Sequence, residues 1–227
     1  PTFDWKRTFD FLLASFGGVF FAPLAMLIAI AIKMEDGGPL LYIQERWGRD
    51  GKKFKAYKFR TMIPDADKKW GMKPAAQNDF RITRIGRLLR ATAMDELPQL
   101  ANIWKGDMSF VGPRALAVDE LSPEAPGFHE RHSAQPGLTG LAQVEATRDA
   151  PLAEKFEWDM RYLRSRSFWL DLRLIAASVL ITLRGRWGKW GSDFFAINFE
   201  SLTDSKQRYR EGRGVRLFYL GEELTKF

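Results

Sequence analysis

"FLLASFGGVFFAPLAMLIAIAI", residues Phe11–Ile32, decides how the rest of this chain is arranged. These residues carry no charge, and about 20 apolar residues are enough for a helix to cross a bilayer. Basic residues flank the stretch on both sides, with Lys6 and Arg7 before it and Lys33 after it. Because basic residues favour the cytoplasmic side, both ends of the stretch are predicted to lie on that same side of a membrane. Pro23, near the middle, removes one helical hydrogen bond and favours a bend there.

Two arrangements fit this stretch. One is a tilted transmembrane helix with a proline kink. The other is a helix broken at Pro23 that enters one leaflet and returns to the same face. The residues alone favour the plain span, since backbone groups freed inside lipid must find other partners.

A second apolar segment, Phe168–Leu183, is followed by the basic, Trp-rich stretch "RGRWGKWG" at residues 184–191. Trp next to Lys and Arg is typical of the membrane–water interface, which predicts an interfacial helix. A buried core helix with a solvated basic end fits the pattern equally well.

The 227-residue chain has 45% hydrophobic residues, a net charge of +7 and a pI near 9.7. The hydrophobic content excludes a disordered chain, and the charge favours an anionic partner such as acidic lipid, nucleic acid or a phosphorylated substrate. Cysteine is absent, which excludes disulfides and thiolate chemistry.

The rest of the pattern predicts an α-rich α+β fold. Alternating runs at Leu40–Gln44 and Phe54–Phe59, joined by a turn at Gly48–Gly51, predict a β-hairpin. Ile82, Ile85, Leu88 and Leu89 at helical spacing predict a helix within residues 81–96, and Pro98 and Gly106 are typical of the start and end of another. A further amphipathic helix is predicted at residues 152–167.

Asp95 and Glu96 lie together in "ATAMDELPQL", residues 91–100, within a strongly basic chain. Their simplest role is to complement the dipole of the helix that follows. The basic residues nearby, which could bind phosphate, are Lys58, Arg60, Arg90 and Arg114. Two carboxylates in a phosphate site repel each other unless a divalent cation intervenes, and Mg²⁺ fits that role. The second carboxylate is then free to attack phosphorus. His129 and His132 could ligate a metal from one helix face, but without a third ligand we interpret them as a surface pair.

Lys6 and Arg7 with Asp10 begin a series of matches to a known family, and four longer blocks follow them. They are "GPLLYIQERWGRDGKKFKAYKFRTM" (38–62), "RITRIGRLLRATAMDELPQLANIWKGDMSFVGPR" (81–114), "PGLTGLAQV" (136–144) and "WDMRYLRSRSFWLDLRLI" (158–175). In this order and at this length they resemble the bacterial monotopic phosphoglycosyl transferases, the bacterial sugar transferase family.

The resemblance implies Mg²⁺-dependent transfer of a phosphosugar from a UDP-sugar to undecaprenyl (polyprenyl) phosphate, with release of UMP and a covalent intermediate. It implies that Asp95 attacks the β-phosphorus, that Glu96 holds Mg²⁺ and that Arg114 binds phosphate. It also implies a re-entrant helix broken at Pro23, against the preference of the residues alone. Two departures are Ala115, where the family often has proline, and Ala22, where it often has serine.

The combined prediction is a monotopic protein of the bacterial inner membrane, with its catalytic domain on the cytoplasmic face. Residues 1–36 would form the re-entrant membrane helix, residues 37–190 the catalytic domain with interfacial helices, and residues 191–227 an extension of unassigned role. Expected partners are the two substrates and membrane lipids, without nucleic acid; a homodimer stays open.

Three other functions are alternatives. A membrane-anchored nucleic-acid binder would explain the pI and "KFKAYKF" at residues 53–59, but that stretch is short. A scaffold without catalysis gives no reason for Asp95 and Glu96. A glycosyltransferase that moves only the sugar would release UDP instead of UMP.

Overall fold

A computed structural model describes residues 4–71, 79–147 and 150–184 of the chain. In chain order its helices and strands are α1 Trp5–Asp36, β1 Leu41–Trp47, β2 Lys53–Phe59, α2 Ala66–Trp70, α3 Arg84–Ala91, α4 Gln99–Lys105, β3 Ser109–Val111, α5 Phe128–Arg131, β4 Gly137–Thr139, α6 Leu141–Glu145, α7 Leu152–Ser165 and α8 Phe168–Arg184. Short 3-10 turns cover Arg49–Gly51 and Met94–Glu96. The predicted α-rich α+β character is confirmed.

Helix α1 is a single element that runs through Pro23. Asp4 caps its start by accepting a hydrogen bond from the Arg7 amide at 3.2 Å, and Gly37 ends it with a φ of 68°. The structure therefore shows no turn that divides α1 into two helices at Pro23. The return of the chain to one membrane face stays a prediction. Within the described residues, α1 alone is long and apolar enough to cross a membrane.

Both ends of α1 are held by polar contacts to the globular part of the chain. Lys6 forms an ion pair with Asp171 in α8, close to the start of α1. At the other end, Glu35 accepts hydrogen bonds from the first two amides of α3, the nearer at 2.6 Å. Between these ends, α1 exposes large apolar side chains such as Phe16, Val19 and Phe20.

The predicted hairpin is confirmed: β1 and β2 pair antiparallel across a turn at the expected position. Tyr42 lies directly opposite Lys58, and Arg46 lies opposite Phe54. Directly paired residues share one face of a sheet, and the alternation along each strand repeats every two residues. Arg46 and Lys58 therefore lie on the same face of the hairpin.

The segment "GPR" at 112–114 and the segment "PGLTG" at 136–140 pack backbone to backbone. Strand β3 pairs with β4 in parallel, and a single bridge continues the pairing from Arg114 to Gly137. A Cβ atom on Gly137 would collide with the backbone of Gly112, so only glycine allows this approach. The pairing fixes the backbone from which the Arg114 side chain extends.

Helix α8 covers the second apolar segment. One of its faces is buried, as in a core helix, and the other exposes apolar side chains, as an interfacial helix would. Leu174, Ala177 and Ile181 are buried in the main core with Tyr162 of α7. Trp169 on the other face is 71% exposed, and Phe168, Val179 and Leu183 are exposed as well. The basic, Trp-rich stretch beyond residue 184 and the extension at 191–227 lie outside the described residues, as does the segment 72–78.

Candidate active site

Asp95 and Glu96 lie in a 3-10 turn immediately before α4. The turn begins after Ala93, which has a φ of 54° in the left-handed region. That conformation costs an alanine about 1–2 kcal/mol, and such strain is common at functional sites.

Glu96 is surrounded by basic side chains from two other parts of the chain. The Lys58 ammonium group lies 2.6 Å from its Oε1 atom, and the Arg114 guanidinium lies 3.7 Å from the same oxygen. Lys58 and Glu96 are mostly buried, whereas 45% of the Arg114 side chain is exposed. The Arg114 guanidinium is therefore accessible to a soluble ligand.

The two carboxylates have opposite pKa shifts. Burial opposes ionisation of Glu96, but the charges of Lys58 and Arg114 outweigh it and lower the pKa of Glu96 to about 2. Burial raises the pKa of Asp95, and repulsion by Glu96 raises it further, against the weaker attraction of Lys58 and Arg90. Glu96 is thus a fixed anion, whereas ionisation of Asp95 is disfavoured relative to an ordinary aspartate, an effect that a bound cation would reduce.

Arg46 is a further basic member of this cluster that the sequence analysis missed. Its guanidinium donates hydrogen bonds to the Ala115 carbonyl at 2.6 Å and to the Gln44 side chain at 3.0 Å. Burial and the nearby charge of Arg114 lower the pKa of Arg46, and its charge in turn lowers the pKa of Glu96. The two-residue alternation of β1 with the hairpin register would have placed Arg46 on the same face of the hairpin as Lys58, four residues further along.

Of the other predicted phosphate ligands, Arg90 lies near the carboxylates and Arg60 does not. Arg90 donates a hydrogen bond to the Thr61 hydroxyl at 2.8 Å, and its charge lowers the pKa of Asp95. Arg60 is buried, and all three of its guanidinium nitrogens bind Asp36 or the carbonyls of Pro39 and Met62.

Arg60 therefore fixes the end of α1 to the segment after β2. Its contacts within the protein leave the assignment as a substrate ligand without support, and we do not include it in the candidate site. The other three predicted ligands, Lys58, Arg90 and Arg114, remain candidates.

A buried ion pair between Arg131 and Asp159 contacts the backbone of Arg114. Arg131 donates one hydrogen bond to the Arg114 carbonyl at 2.5 Å and another to Asp159 in α7 at 2.9 Å. Only 2% of each side chain of this pair is exposed. Sequence reasoning missed both residues, because no local pattern relates α5 to α7.

The interpretation of the two histidines as a surface pair is wrong for His132. This residue is 2% exposed, and its Nδ1 atom lies 2.7 Å from the Phe128 carbonyl. Burial lowers the pKa of His132 to about 4, so it is neutral at physiological pH. His132 packs against the ring of Phe128 in the core.

The described residues hold no group of three or more acidic or histidine side chains suited to a metal ion. The oxygen donors of Asp95 and Glu96 nevertheless suit Mg²⁺, which is commonly bound by one or two carboxylates together with substrate phosphates. Glu96, which its basic neighbours keep ionised, has the charge that such a ligand needs. Such an ion would be held jointly by the protein and its substrate.

Two adjacent carboxylates thus lie within a basic cluster, in a chain that also has one helix long and apolar enough to cross a membrane among its described residues. Residues 2–185 match the family model described as bacterial sugar transferase. The chain belongs to this family.

Characterised relatives show which reactions the family includes. The chain is 39% identical over 80% of its length to the exopolysaccharide production protein PSS of Rhizobium leguminosarum bv. phaseoli, covering 96% of that protein. It is 41% identical over 77% of its length to a UDP-glucose:undecaprenyl-phosphate glucose-1-phosphate transferase of Caulobacter vibrioides, covering 68% of it.

A third relative differs in its sugar. The chain is 37% identical over 79% of its length to a UDP-N-acetylgalactosamine-undecaprenyl-phosphate N-acetylgalactosaminephosphotransferase of Aeromonas hydrophila, and it spans 44% of that protein. Relatives of similar identity thus act on different sugars.

Proposed function

We propose that this protein transfers a phosphosugar from a UDP-sugar to a polyprenyl phosphate at the cytoplasmic face of a bacterial inner membrane. The products are a polyprenyl-diphosphate sugar and UMP, and the reaction begins the membrane stage of glycoconjugate synthesis. The observation that carries the proposal is the Asp95–Glu96 pair within the cluster of Lys58, Arg46 and Arg114.

In the first step, a carboxylate oxygen of Asp95 attacks the β-phosphorus of the UDP-sugar. A bond forms between that oxygen and phosphorus, and the bond from the β-phosphorus to the bridging oxygen breaks. UMP leaves with the bridging oxygen, and the phosphosugar stays on Asp95 as an acyl phosphate. Arg114 and Lys58 stabilise the charge on the phosphoryl oxygens, which is the main contribution expected of such groups.

In the second step, an oxygen of the lipid phosphate attacks the phosphorus of the acyl phosphate. The Asp95 carboxylate is released, and the new diphosphate bond joins lipid and sugar. Two steps at one site let two large anionic substrates bind in turn, so their mutual repulsion is avoided.

Mg²⁺ bound by Glu96 and the diphosphate would supply positive charge to the phosphoryl oxygens and relieve repulsion at Asp95. The basic cluster alone already favours the ionised form of Glu96. The metal requirement is tested by chelation, which should abolish UMP release, and by restoration with added Mg²⁺.

The contacts at the ends of α1 support a re-entrant arrangement. A straight helix of 32 residues is about 48 Å long, enough to separate its ends across a bilayer core of about 30 Å. Yet Lys6 and Glu35, near opposite ends, both contact the globular part of the chain. A domain on one side of the membrane can hold both ends only if the helix does not cross to the other side, and a bend at Pro23 would let it enter one leaflet and return.

Labelling in intact cells tests this topology. The chain has no cysteine, so single cysteines at Trp5 and Met34 report the position of each end. We expect neither site to react with a membrane-impermeant thiol reagent until the cells are opened. Reaction at either site in intact cells would contradict the re-entrant arrangement.

The covalent step is tested by incubating the enzyme with UDP-sugar and Mg²⁺ without lipid. We expect a burst of UMP no larger than the amount of enzyme, and a mass increase of one phosphosugar on the peptide containing Asp95. Asp95→Asn should abolish both signals, because a neutral amide is not a nucleophile. Release of UDP would support a glycosyltransferase that moves only the sugar, and an adduct that persists in Asp95→Asn would exclude Asp95.

A further inference from the structure

Helix α7 reaches the backbone of Arg114 through one intermediate side chain. Arg131 in α5 donates a hydrogen bond from Nε to Asp159 of α7 at 2.9 Å and another from Nη2 to the Arg114 carbonyl at 2.5 Å. Its guanidinium carbon also lies 5.0 Å from the centre of the Phe156 ring, which belongs to the turn of α7 before Asp159. A carboxylate and an aromatic ring of one helix thus fix the group that donates to Arg114.

The chain just before Arg114 is held from the same helix. The Tyr162 hydroxyl of α7 donates a hydrogen bond to the Val111 carbonyl at 3.1 Å. Tyr162 follows the aspartate of the ion pair by three residues, so both side chains lie on one face of α7. The next residue, Gly112, donates from its amide to the Thr139 carbonyl in β4 at 3.0 Å. Contacts to α7 and to β4 therefore fix the origin of the Arg114 side chain.

Stability alone gives little reason for a charged pair at this place. Arg131 and Asp159 are both buried. The Asp159 Oδ1 atom has no hydrogen-bond partner among the described residues. Well-packed apolar residues of similar volume often stabilise a core as much as a buried ion pair does. What an apolar pair could not provide is the hydrogen bond to the Arg114 carbonyl.

We propose that Arg131 and Asp159 are positioning residues, which hold Arg114 where its guanidinium meets the phosphates of the UDP-sugar. The inference rests on the proposed function, since it takes Arg114 as the phosphate ligand. The guanidinium of Arg114 lies 3.7 Å from Glu96, beyond hydrogen-bond distance, and 45% of the side chain is exposed. Its position before substrate binds therefore depends on its backbone, where a displacement of about 1 Å can cost roughly a hundredfold in rate.

A double substitution separates positioning from stability. Arg131→Met with Asp159→Leu removes both buried charges together with the donor to the Arg114 carbonyl. Arg131→Lys is a milder variant, because it keeps a charge beside Asp159 but lacks the planar guanidinium that reaches both acceptors. Each is made in the unmodified chain and again with Arg114→Ala, where the group to be positioned is absent.

Arg60→Met with Asp36→Leu is the matched control. It also removes a buried arginine that binds a carboxylate and backbone carbonyls, but these contacts lie outside the candidate site. Every variant is measured in detergent for its thermal transition and, by calorimetry with Mg²⁺, for its affinity for UDP. The rate of UMP release is measured with whichever of UDP-glucose and UDP-N-acetylgalactosamine the unmodified enzyme uses.

We expect the variant with Arg131→Met and Asp159→Leu to keep most of its stability, yet to bind UDP about tenfold more weakly and to lower kcat/KM for the UDP-sugar by about the same factor. Arg131→Lys should show a smaller loss in both. With Arg114→Ala in place, the same substitutions should change either value by less than about twofold, because residues that act through one group are not additive. The control should leave the affinity for UDP unchanged.

An equal loss with and without Arg114 would overturn the inference, because the pair would then act on the fold as a whole. Unchanged affinity for UDP in the double variant, or in Arg114→Ala, would overturn it too. Failure of the proposed function is distinguishable, since binding of UDP does not require the reaction. An unmodified protein that binds UDP but releases no UMP would contradict the transferase, and the comparison of affinities would still test the positioning.

Discussion

Two clusters in this protein bring an arginine to a carboxylate, and they differ in how much water reaches them. Arg131 and Asp159 are each 2% exposed and lie 2.9 Å apart. Arg114 and Glu96 are 45% and 20% exposed and lie 3.7 Å apart. The first pair neutralises itself inside the protein, whereas the second leaves the Arg114 guanidinium accessible.

The comparison separates basic residues that support the fold from those available to a ligand. Arg60 belongs with the buried pair, since Asp36 and backbone carbonyls bind its guanidinium. The two positive charges of Lys58 and Arg114 exceed the single negative charge of Glu96. This excess favours binding of a further anion such as a diphosphate.

Breaking the buried pair should have the largest effect on stability. Removing one partner leaves an uncompensated buried charge, so Arg131→Met should lower the free energy of unfolding by about 3–5 kcal/mol. Arg131→Met combined with Asp159→Leu should restore most of that loss, because no buried charge remains. Chemical denaturation in detergent measures both, and a double variant no more stable than the single one would contradict this account.

Replacing the accessible arginine should impair activity and leave stability unchanged. Arg114→Lys keeps the charge but loses the bidentate geometry of the guanidinium. We expect kcat/KM for the UDP-sugar to fall roughly ten- to a hundredfold, or about 1.5–3 kcal/mol.

Arg60→Lys is the matched control for that substitution. It should lower the thermal transition through its lost contacts with the protein while the KM for UDP-sugar stays unchanged. The comparison would fail if Arg60→Lys raised this KM as much as Arg114→Lys did.

The pH dependence of the UMP burst should show the smallest change. Attack requires ionised Asp95, whose raised pKa means that the burst rate falls, as pH decreases, at a higher pH than for an ordinary aspartate. Glu96→Gln removes the repulsion, so the acid limb should move to lower pH, although burial keeps it above the ordinary position. Lys58→Met removes an attraction and should move the limb the opposite way. Single-turnover rates measured with excess Mg²⁺ between about pH 4 and pH 8, roughly the range around a perturbed carboxyl group, test this prediction. If the acid limbs of Glu96→Gln and Lys58→Met moved in the same direction, Asp95 would not be the group that titrates.

Local sequence patterns predicted much of the fold. The alternation in residues 40–59 predicted the hairpin, and helical spacing with Pro98 and Gly106 predicted α3 and α4. These elements follow from the periodicity of neighbouring residues, which a single sequence displays directly. Lys58, proposed from the basic residues of the sequence, also lies beside Glu96 of the acidic pair.

What sequence reasoning missed depends on contacts between distant segments. Arg60 and Lys58 are two residues apart, yet one is bound within the protein and the other faces the acidic pair. Burial of His132 and the pairing of Arg131 with Asp159 are set by the packing of α5 against α7. No periodicity within either helix contains that information.

The contacts at the two ends of α1 also set an order of events during synthesis. The partner of Glu35 in α3 lies 49 residues later in the chain, whereas Asp171, the partner of Lys6, lies 165 residues after it and is synthesised much later. At about 5–20 residues per second, the second interval lasts roughly 8–33 s. During that time Lys6 lacks its Asp171 partner, although Arg7 beside it can donate hydrogen bonds to the carbonyls of Ile103 and Trp104 once α4 has been made. A nascent chain stalled before α8 should therefore leave Lys6 open to amine-reactive reagents, and the completed protein should protect it.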